Sequence, residues 1–442
     1  TVNKFTGDGA MALFGAPLAH EDHARRACYA ALQLRDDLDA YARDVRVEHG
    51  LSFSVRMGLN SGEVVVGSVG DDLHMDYTAI GHTVGLAARM EGLAEPGKPY
   101  LSANTAALVE GFFQLEDVGD LHVKGVQEPV TTFALLGVGA ARTRLDAAMA
   151  RGLSRFVGRA DEMAALEAAL ARVEEGGQGG QVVGVVAEPG LGKSRLCHEF
   201  AERCRARGIQ VTVGSGTAHG RRVPLLPVLE MLRDYFGIQD GDDGLVARAK
   251  VAGRLLLLDD EFRDALPVVF DFLGIPDPDR PVPDGMGPQA RQRALFAALR
   301  RLVHARAGEG PGLLVVEDLH WLDPGSDEFL RNLVESMPGA RTMLVVNFRP
   351  EYRAHWMQKS YFQQLPLVPL GAAAVADLVE ALLGRDPSLD GVAELIAART
   401  GGNPFFVEEV VQGLIESGTL VGCQGAYKLA RSIEEIEIPA TV

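Results

Sequence analysis

The stretch VVGVVAEPGLGKS, residues 182–194, decides how half of this chain folds. Its near-continuous apolar run, Val182 to Ala187, predicts a strand buried on both faces, and such strands belong to parallel sheets covered by helices. The glycine-rich turn that follows ends in Gly-Lys-Ser at the start of a helix carrying Leu196, Phe200 and Cys204 on one face. In that setting Gly190 and Gly192 let backbone N–H groups curl around phosphate oxygens, and the helix N-terminus adds a favourable dipole. Lys193 then reaches the β- and γ-phosphates of a nucleotide, and the Ser194 hydroxyl ligates Mg2+. Ala187 stands where the usual pattern has its first glycine. The mechanism survives, because the curvature rests on the later glycines.

Working outward, VTVG (211–214), LLVVED (313–318) and TMLVVNF (342–348) are further buried-type strands separated by helical segments. LLVVED delivers Glu317 and Asp318 at its C-terminal end, where one carboxylate holds Mg2+ through water and the other polarises an attacking water; the spacing leaves open which does which. Arg349 follows the next strand, in place to sense a γ-phosphate or to make a surface salt bridge. From about residue 371 the pattern is helical, through AAAVADLVEALLG to FFVEEVVQGLIESG.

The N-terminal third mixes elements. Residues 1–15 alternate around Gly7-Asp8-Gly9, two short strands with Asp8 at the hairpin tip. A helix is expected from His20 to about Glu48, strands over SFSVRMGLN (52–60) and EVVVGSVG (63–70), and a helix over TVGLAARMEGLA (83–94). DVGDLHVKG and VTTFALLGV close an α+β domain near Val138. The expected division is therefore 1–137, a connector over 138–155 lacking an apolar stripe, a parallel-sheet core over 156–370, and a helical lid with the start of a further domain over 371–442.

Composition narrows the function classes. The 442 residues suit about three domains, or two with elaborations. Sixty acidic residues against 43 basic ones, net −17, exclude a nucleic-acid-binding surface on this stretch. Four scattered cysteines make neither a disulfide framework nor a closed zinc site and point to the reducing cytoplasm. No apolar run reaches the ~18 residues a membrane span needs. His20-Glu21-Asp22-His23 lacks metal-binding spacing, and Arg291, Arg293, Arg300, Arg301 and Arg306 read as a solvated basic helix face. A chain that starts in a strand at Thr1 and stops at IPATV is expected to be cut from a longer protein at both ends.

Two resemblances follow. FVGR, AEPGLGKS, LLVVEDLHWLD, VNFRPEY and GGNPFF resemble the signal-transduction ATPases with numerous domains, relatives of the AAA+ group, across 156–442. That resemblance implies a nucleotide-dependent switch, with Pro404 of Gly402-Asn403-Pro404 near the adenine and Arg159 at the entrance. KFTGDGAMALFG, VRMGLNSGEVVVGSVG and YTAIGHTVGLAARM resemble, in that order, the catalytic domain of class III adenylyl and guanylyl cyclases over residues 1 to about 137. There the resemblance implies attack of a ribose 3′-hydroxyl on the α-phosphate, helped by two divalent ions, Mg2+ or Mn2+. Asp8 matches the second metal-binding aspartate, the first falling ahead of Thr1. Arg89 matches the arginine that stabilises the transition-state phosphate, and Thr78 the purine-selecting position, tilted toward ATP. Gly85 stands where the family has the ribose-orienting asparagine, and Val2 near the adenine-reading lysine, with Lys4 in a neighbouring register. Since such sites form between two cyclase domains, a homodimer is implied.

The expected fold is thus α/β: a ferredoxin-like α+β cyclase domain, then a P-loop NTPase parallel-sheet domain with a helical lid. The expected function is cyclic AMP synthesis, a phosphorus–oxygen lyase reaction, coupled to an ATP-driven switch. The alternative is a degenerate cyclase-like dimerisation or sensing module on an ATPase scaffold.

Overall fold

The computed structural model describes residues 2–6, 9–16, 22–62, 64–69, 76–80, 82–122, 129–139, 141, 143–176, 179–217, 223–239 and 241–430. The chain divides into two compact units, Thr1–Leu153 and Ser154–Val442.

In the first unit, the antiparallel ribbon β1 (Val2–Thr6) and β2 (Gly9–Ala12) precedes the long helix α1 (His23–His49), which ends on Gly50 in the left-handed region. Next come β3 (Gly58–Leu59), the hairpin β4 (Val65–Val69) and β5 (Asp76–Ile80), and helix α2 (His82–Leu93). The strands β6 (Tyr100–Ser102), β7 (Phe113–Leu121) and β8 (Val130–Val138), with α3 (Ala103–Val109) after β6, complete a four-stranded sheet of order β3-β6-β8-β7. Only Gly58 and Leu59 of the strand expected over 52–60 join that ladder; Leu51 to Ser54 are exposed.

Helix α2 lies against β3 so closely that a Cβ on Gly58 would sit 2.4 Å from the Ala87 carbonyl, so only glycine fits. Leu101, Leu135 and Cys28 are fully enclosed in the main core of this unit, and burial pushes the Cys28 thiol up to about 12. Residues 139–155 are more than a connector. They contain α4 (Arg144–Arg151), started by a capping box in which Thr143 and Asp146 exchange side-chain bonds, and Ala147 packs into the first unit's core.

The second unit is built on a five-stranded parallel sheet of order β10-β11-β12-β9-β13. Helix α5 (Ala160–Glu174) leads to β9 (Gln181–Val186), α6 (Lys193–Ala206) and β10 (Gln210–Ser215). The helices α7 (Leu226–Tyr235), α8 (Gly244–Leu258), α9 (Leu266–Phe272) and α10 (Pro288–Ala305) precede β11 (Gly312–Glu317), α11 (Pro324–Glu335), β12 (Thr342–Phe348) and β13 (Phe362–Pro366). Every residue of β9, β11 and β12 is buried, because helices cover both faces. One face packs against α5 and α6 through Leu166, Leu196 and Phe200; the other packs against α7, α10 and α11.

A third apolar cluster joins α12 (Ala372–Leu383), α13 (Val392–Thr400) and α14 (Pro404–Glu416), and the hairpin β14 (Leu420–Cys423) and β15 (Ala426–Leu429) closes against it. Arg306 departs from the solvated basic face expected of its segment: it is 6% exposed, just beyond the end of α10. Among the described residues no helix is long and apolar enough to cross a membrane.

Phe200 is completely buried between α6 and the sheet, whereas Leu257 on α8 is 89% exposed. Phe200→Ala is expected to destabilise the second unit by about 3–5 kcal/mol. Leu257→Ala should change it by no more than about 0.5 kcal/mol. The urea midpoints of the two variants check the contrast.

Candidate active site

The site in the second unit starts with the strand-to-helix turn after β9. Gly190 and Gly192 have φ of 80° and 88°, the left-handed conformation that glycine adopts without strain, and these turns bring the chain into the first residues of α6. Lys193 is buried, and its Nζ donates to the carbonyls of Ala187 (2.8 Å) and Glu188 (3.0 Å), so the ammonium is held over the start of the loop it follows. Ser194 is half-buried beside it on α6.

Sheet order brings the acidic strand into place. Since β12 lies between β9 and β11, its side chains bridge the loop strand and the acids. Asn347, 0% exposed, donates from Nδ2 to Glu317 Oε1 (3.1 Å) and accepts from the Asp318 backbone N–H at Oδ1 (2.8 Å). Glu317 is buried at the end of β11. Asp318 has φ 56°, a rare backbone state for a non-glycine residue, which the Asn347 bond and the following 3-10 turn hold in place. Nearby, the Arg349 guanidinium lies over the Trp321 ring at 6.0 Å.

Arg159 and the lid complete the rim. The buried Arg159 guanidinium donates to the carbonyls of Leu191 (3.1 Å) and Val368 (2.8 Å) and pairs with Glu162 (2.9 Å), tying the loop, the segment after β13 and α5 together. Asn403 donates from Nδ2 to the Pro189 carbonyl (3.1 Å), and the Phe405 N–H donates to the Gly190 carbonyl (3.3 Å). Pro404, the first residue of α14, sits between these two contacts. The docking is tight: a Cβ on Gly190 would lie 2.6 Å from Asn403 Oδ1, and one on Gly402 would lie 2.2 Å from the Leu370 carbonyl.

Ser194, Glu317 and Asp318 are hard oxygen donors, the kind Mg2+ takes while keeping water and phosphate oxygens in its shell. No cluster of three His, Cys, Asp or Glu ligands occurs among the described residues.

In the first unit, Asp8 and the side chain of Thr78 lie outside the described residues; the Thr78 backbone pairs with Gly67 in the β4–β5 hairpin. Arg89 is half-buried on α2, one turn after Gly85. A Cβ on Gly85 would meet nothing within 4 Å. The start of α2 is fixed by Asn60, whose Nδ2 donates to the Thr83 carbonyl (2.9 Å) while its Oδ1 accepts from Ser102 Oγ (2.5 Å).

Residues 155–346 match the family model of the AAA ATPase domain, and residues 3–137 that of the adenylate and guanylate cyclase catalytic domain. The chain joins a cyclase catalytic domain to an AAA ATPase domain. "Uncharacterized protein R02095" of Rhizobium meliloti is 28% identical over 414 residues, which is 92% of this chain and 39% of that protein. "Adenylate cyclase 1" of the same organism is 31% identical over 140 residues, covering 31% of this chain and 21% of its own length. The crystal structure of the adenylyl cyclase CyaB from P. aeruginosa is 32% identical over 32% of this chain and 73% of that one, with a TM-score of 0.30. The chain thus spans well under two thirds of these two curated relatives.

Sequence reading of the ATPase domain missed Asn347. Its signal was visible as the one amide in TMLVVNF, since a polar side chain in a fully buried strand needs partners. It also left Asn403 without a role, because its partner carbonyl is 214 residues away. Arg159→Met would leave the Leu191 and Val368 carbonyls without their buried donor. A loss of about 1–3 kcal/mol is expected, read as a lower melting temperature of the ATPase domain.

Proposed function

We propose that this chain makes cyclic AMP and pyrophosphate from ATP in its cyclase domain, residues 1–137, under the control of an ATP-binding switch. The switch is the core over 156–370 with its lid over 371–442, working as a signal-transduction ATPase. The observation that carries the switch is the docking of Asn403 and Phe405 on the carbonyls of Pro189 and Gly190. A nucleotide phosphate gathered by the N–H groups of the same loop changes what the lid rests on.

Lys193 binds the β- and γ-phosphates, Ser194 and Glu317 hold Mg2+, and Asp318 polarises the attacking water. Asn347 fixes the direction of both acids. Arg349 senses the γ-phosphate, and Pro404 stands near the adenine. Magnesium supplies charge neutralisation at the phosphates when it is bound.

In the cyclase domain Asp8 is the metal ligand, Thr78 selects the purine, and Arg89 meets the transition-state phosphate. Cyclase sites formed between two domains make a homodimer the working unit. The few cysteines, three of them buried, fit the reducing cytoplasm.

Gly85 favours a second reading, a cyclase-like module that dimerises or senses without turnover. With no side chain there to orient the ribose, the reaction loses ~10²-fold or more from misplacement alone.

Two measurements decide. Lys193→Ala is expected to weaken ATP binding to residues 156–442 by about a hundredfold, and unchanged affinity in a calorimetric titration overturns the site. For the cyclase, the full-length gene product with Mn2+ and ATP should give cyclic AMP above an Asp8→Ala control. Absence of product, with activity appearing on Gly85→Asn, establishes the second reading instead.

A further inference from the structure

The ATPase domain holds a second recess, partly open to solvent and away from its phosphate-binding loop. A cavity of about 60 Å³ lies between the sheet and helices α7, α10 and α11. Its walls are almost wholly apolar, from Val228, Met231, Leu299, Val303, Leu314 and Phe329. The loop emerges from the C-terminal end of the parallel sheet. By contrast, this cavity is bordered by Thr342, the first residue of β12, and by Arg306, six residues ahead of β11. At ~3.3 Å per residue, the Arg306 and Thr342 end of the cavity lies roughly 20 Å from the loop, and the wall rises along β11 as far as Leu314.

What makes the cavity more than a packing defect is the charge at its end. Arg306 lines it and is 6% exposed, and its Nε makes no hydrogen bond. The nearest carboxylate oxygen to that atom, on Glu309, is 3.9 Å away and already receives a 2.8 Å bond from Arg254. Both guanidinium groups flank the ring of Tyr235, at 5.6 and 5.7 Å, and the buried Tyr235 hydroxyl, whose oxygen interacts with Arg254, finds no acceptor for its own proton. Two cations therefore share one acid, beside an idle hydroxyl donor, at the polar end of an apolar chamber. A buried guanidinium left short of acceptors is costly, and burial lowers the proton affinity of Arg306.

We propose that this cavity binds a short aliphatic carboxylate, its anionic group on Arg306 and the Tyr235 hydroxyl and its hydrocarbon chain among Val228, Leu299 and Val303. At ~10–15 Å³ per water-sized body the volume admits about four to six non-hydrogen atoms, the size of propionate or butyrate. The carboxylate supplies the acceptor pair that matches a guanidinium fork, and the apolar walls reject a bare inorganic anion. Arg300, exposed on α10, borders the cavity where it reaches the surface.

The test titrates the full chain with sodium butyrate at constant ionic strength, with sodium chloride and 1-butanol as comparison solutes. Saturable heat from butyrate and none from chloride or butanol is expected. Arg306→Gln should weaken butyrate at least tenfold, and Val303→Phe, which fills the chamber, should abolish binding while circular dichroism reports an unchanged fold. No saturable binding to the unaltered chain overturns the proposal, as does equal affinity in the Val303→Phe variant; the second comparison stands even if Arg306→Gln does not fold.

Discussion

A single buried amide organises the ATPase half. Past Thr342 at its start, Asn347 is the polar residue of an apolar inner strand, and burying it unpaired would cost about 1–3 kcal/mol. It is satisfied by taking the Asp318 N–H and giving a bond to the Glu317 carboxylate. Those two bonds set the sharp turn at the end of β11, with Asp318 in the left-handed region. That geometry depends on β12 lying beside β9 on one side and β11 on the other, so the sheet order and the orientation of the acids are one constraint.

The glycines at the loop follow from a second constraint, close approach of two backbones. Gly190 and Gly402 have positive φ and also lack room for a Cβ, because Asn403 and the Leu370 carbonyl occupy that space. Side chains at either position would push α14 off the loop. Arg159 works on the other flank with buried hydrogen bonds, so the loop is held from α5 and from α14 alike. A turn gripped on both sides couples α5 and α14 through one loop, which is the coupling the proposed switch rests on.

Much of this could be read in the sequence where the signal is local. The strands VVGVVA, LLVVED and TMLVVNF announced themselves by unbroken apolar character, and Gly-Lys-Ser by its place between strand and helix. The strand FQQLP, β13, was missed: its glutamines are exposed at the sheet edge, so it lacks the apolar signature of its neighbours. Arg306 was misjudged for the opposite reason. Its basic neighbours suggested a wet helix face, but the chain turns at the end of α10 and carries that side chain inward, a consequence of tertiary packing that periodicity cannot show. The contacts of Asn403 and Arg159 likewise bind residues far apart in the chain.

Two glycines of the cyclase domain show how packing and chemistry can be separated. Gly58 is demanded by structure, since α2 leaves no room for any side chain over it. Gly85 is not: it lies within α2, its φ is not positive, and a Cβ there would enter open space. Glycine inside a helix is less favourable than alanine by about 1 kcal/mol, so neither packing nor helix stability explains this choice. One turn before Arg89 and on the same side of the helix, position 85 bears on whatever Arg89 contacts. A side chain at position 85 would therefore stand in open space beside Arg89, so glycine there is compatible with the packing of the helix without being required by it.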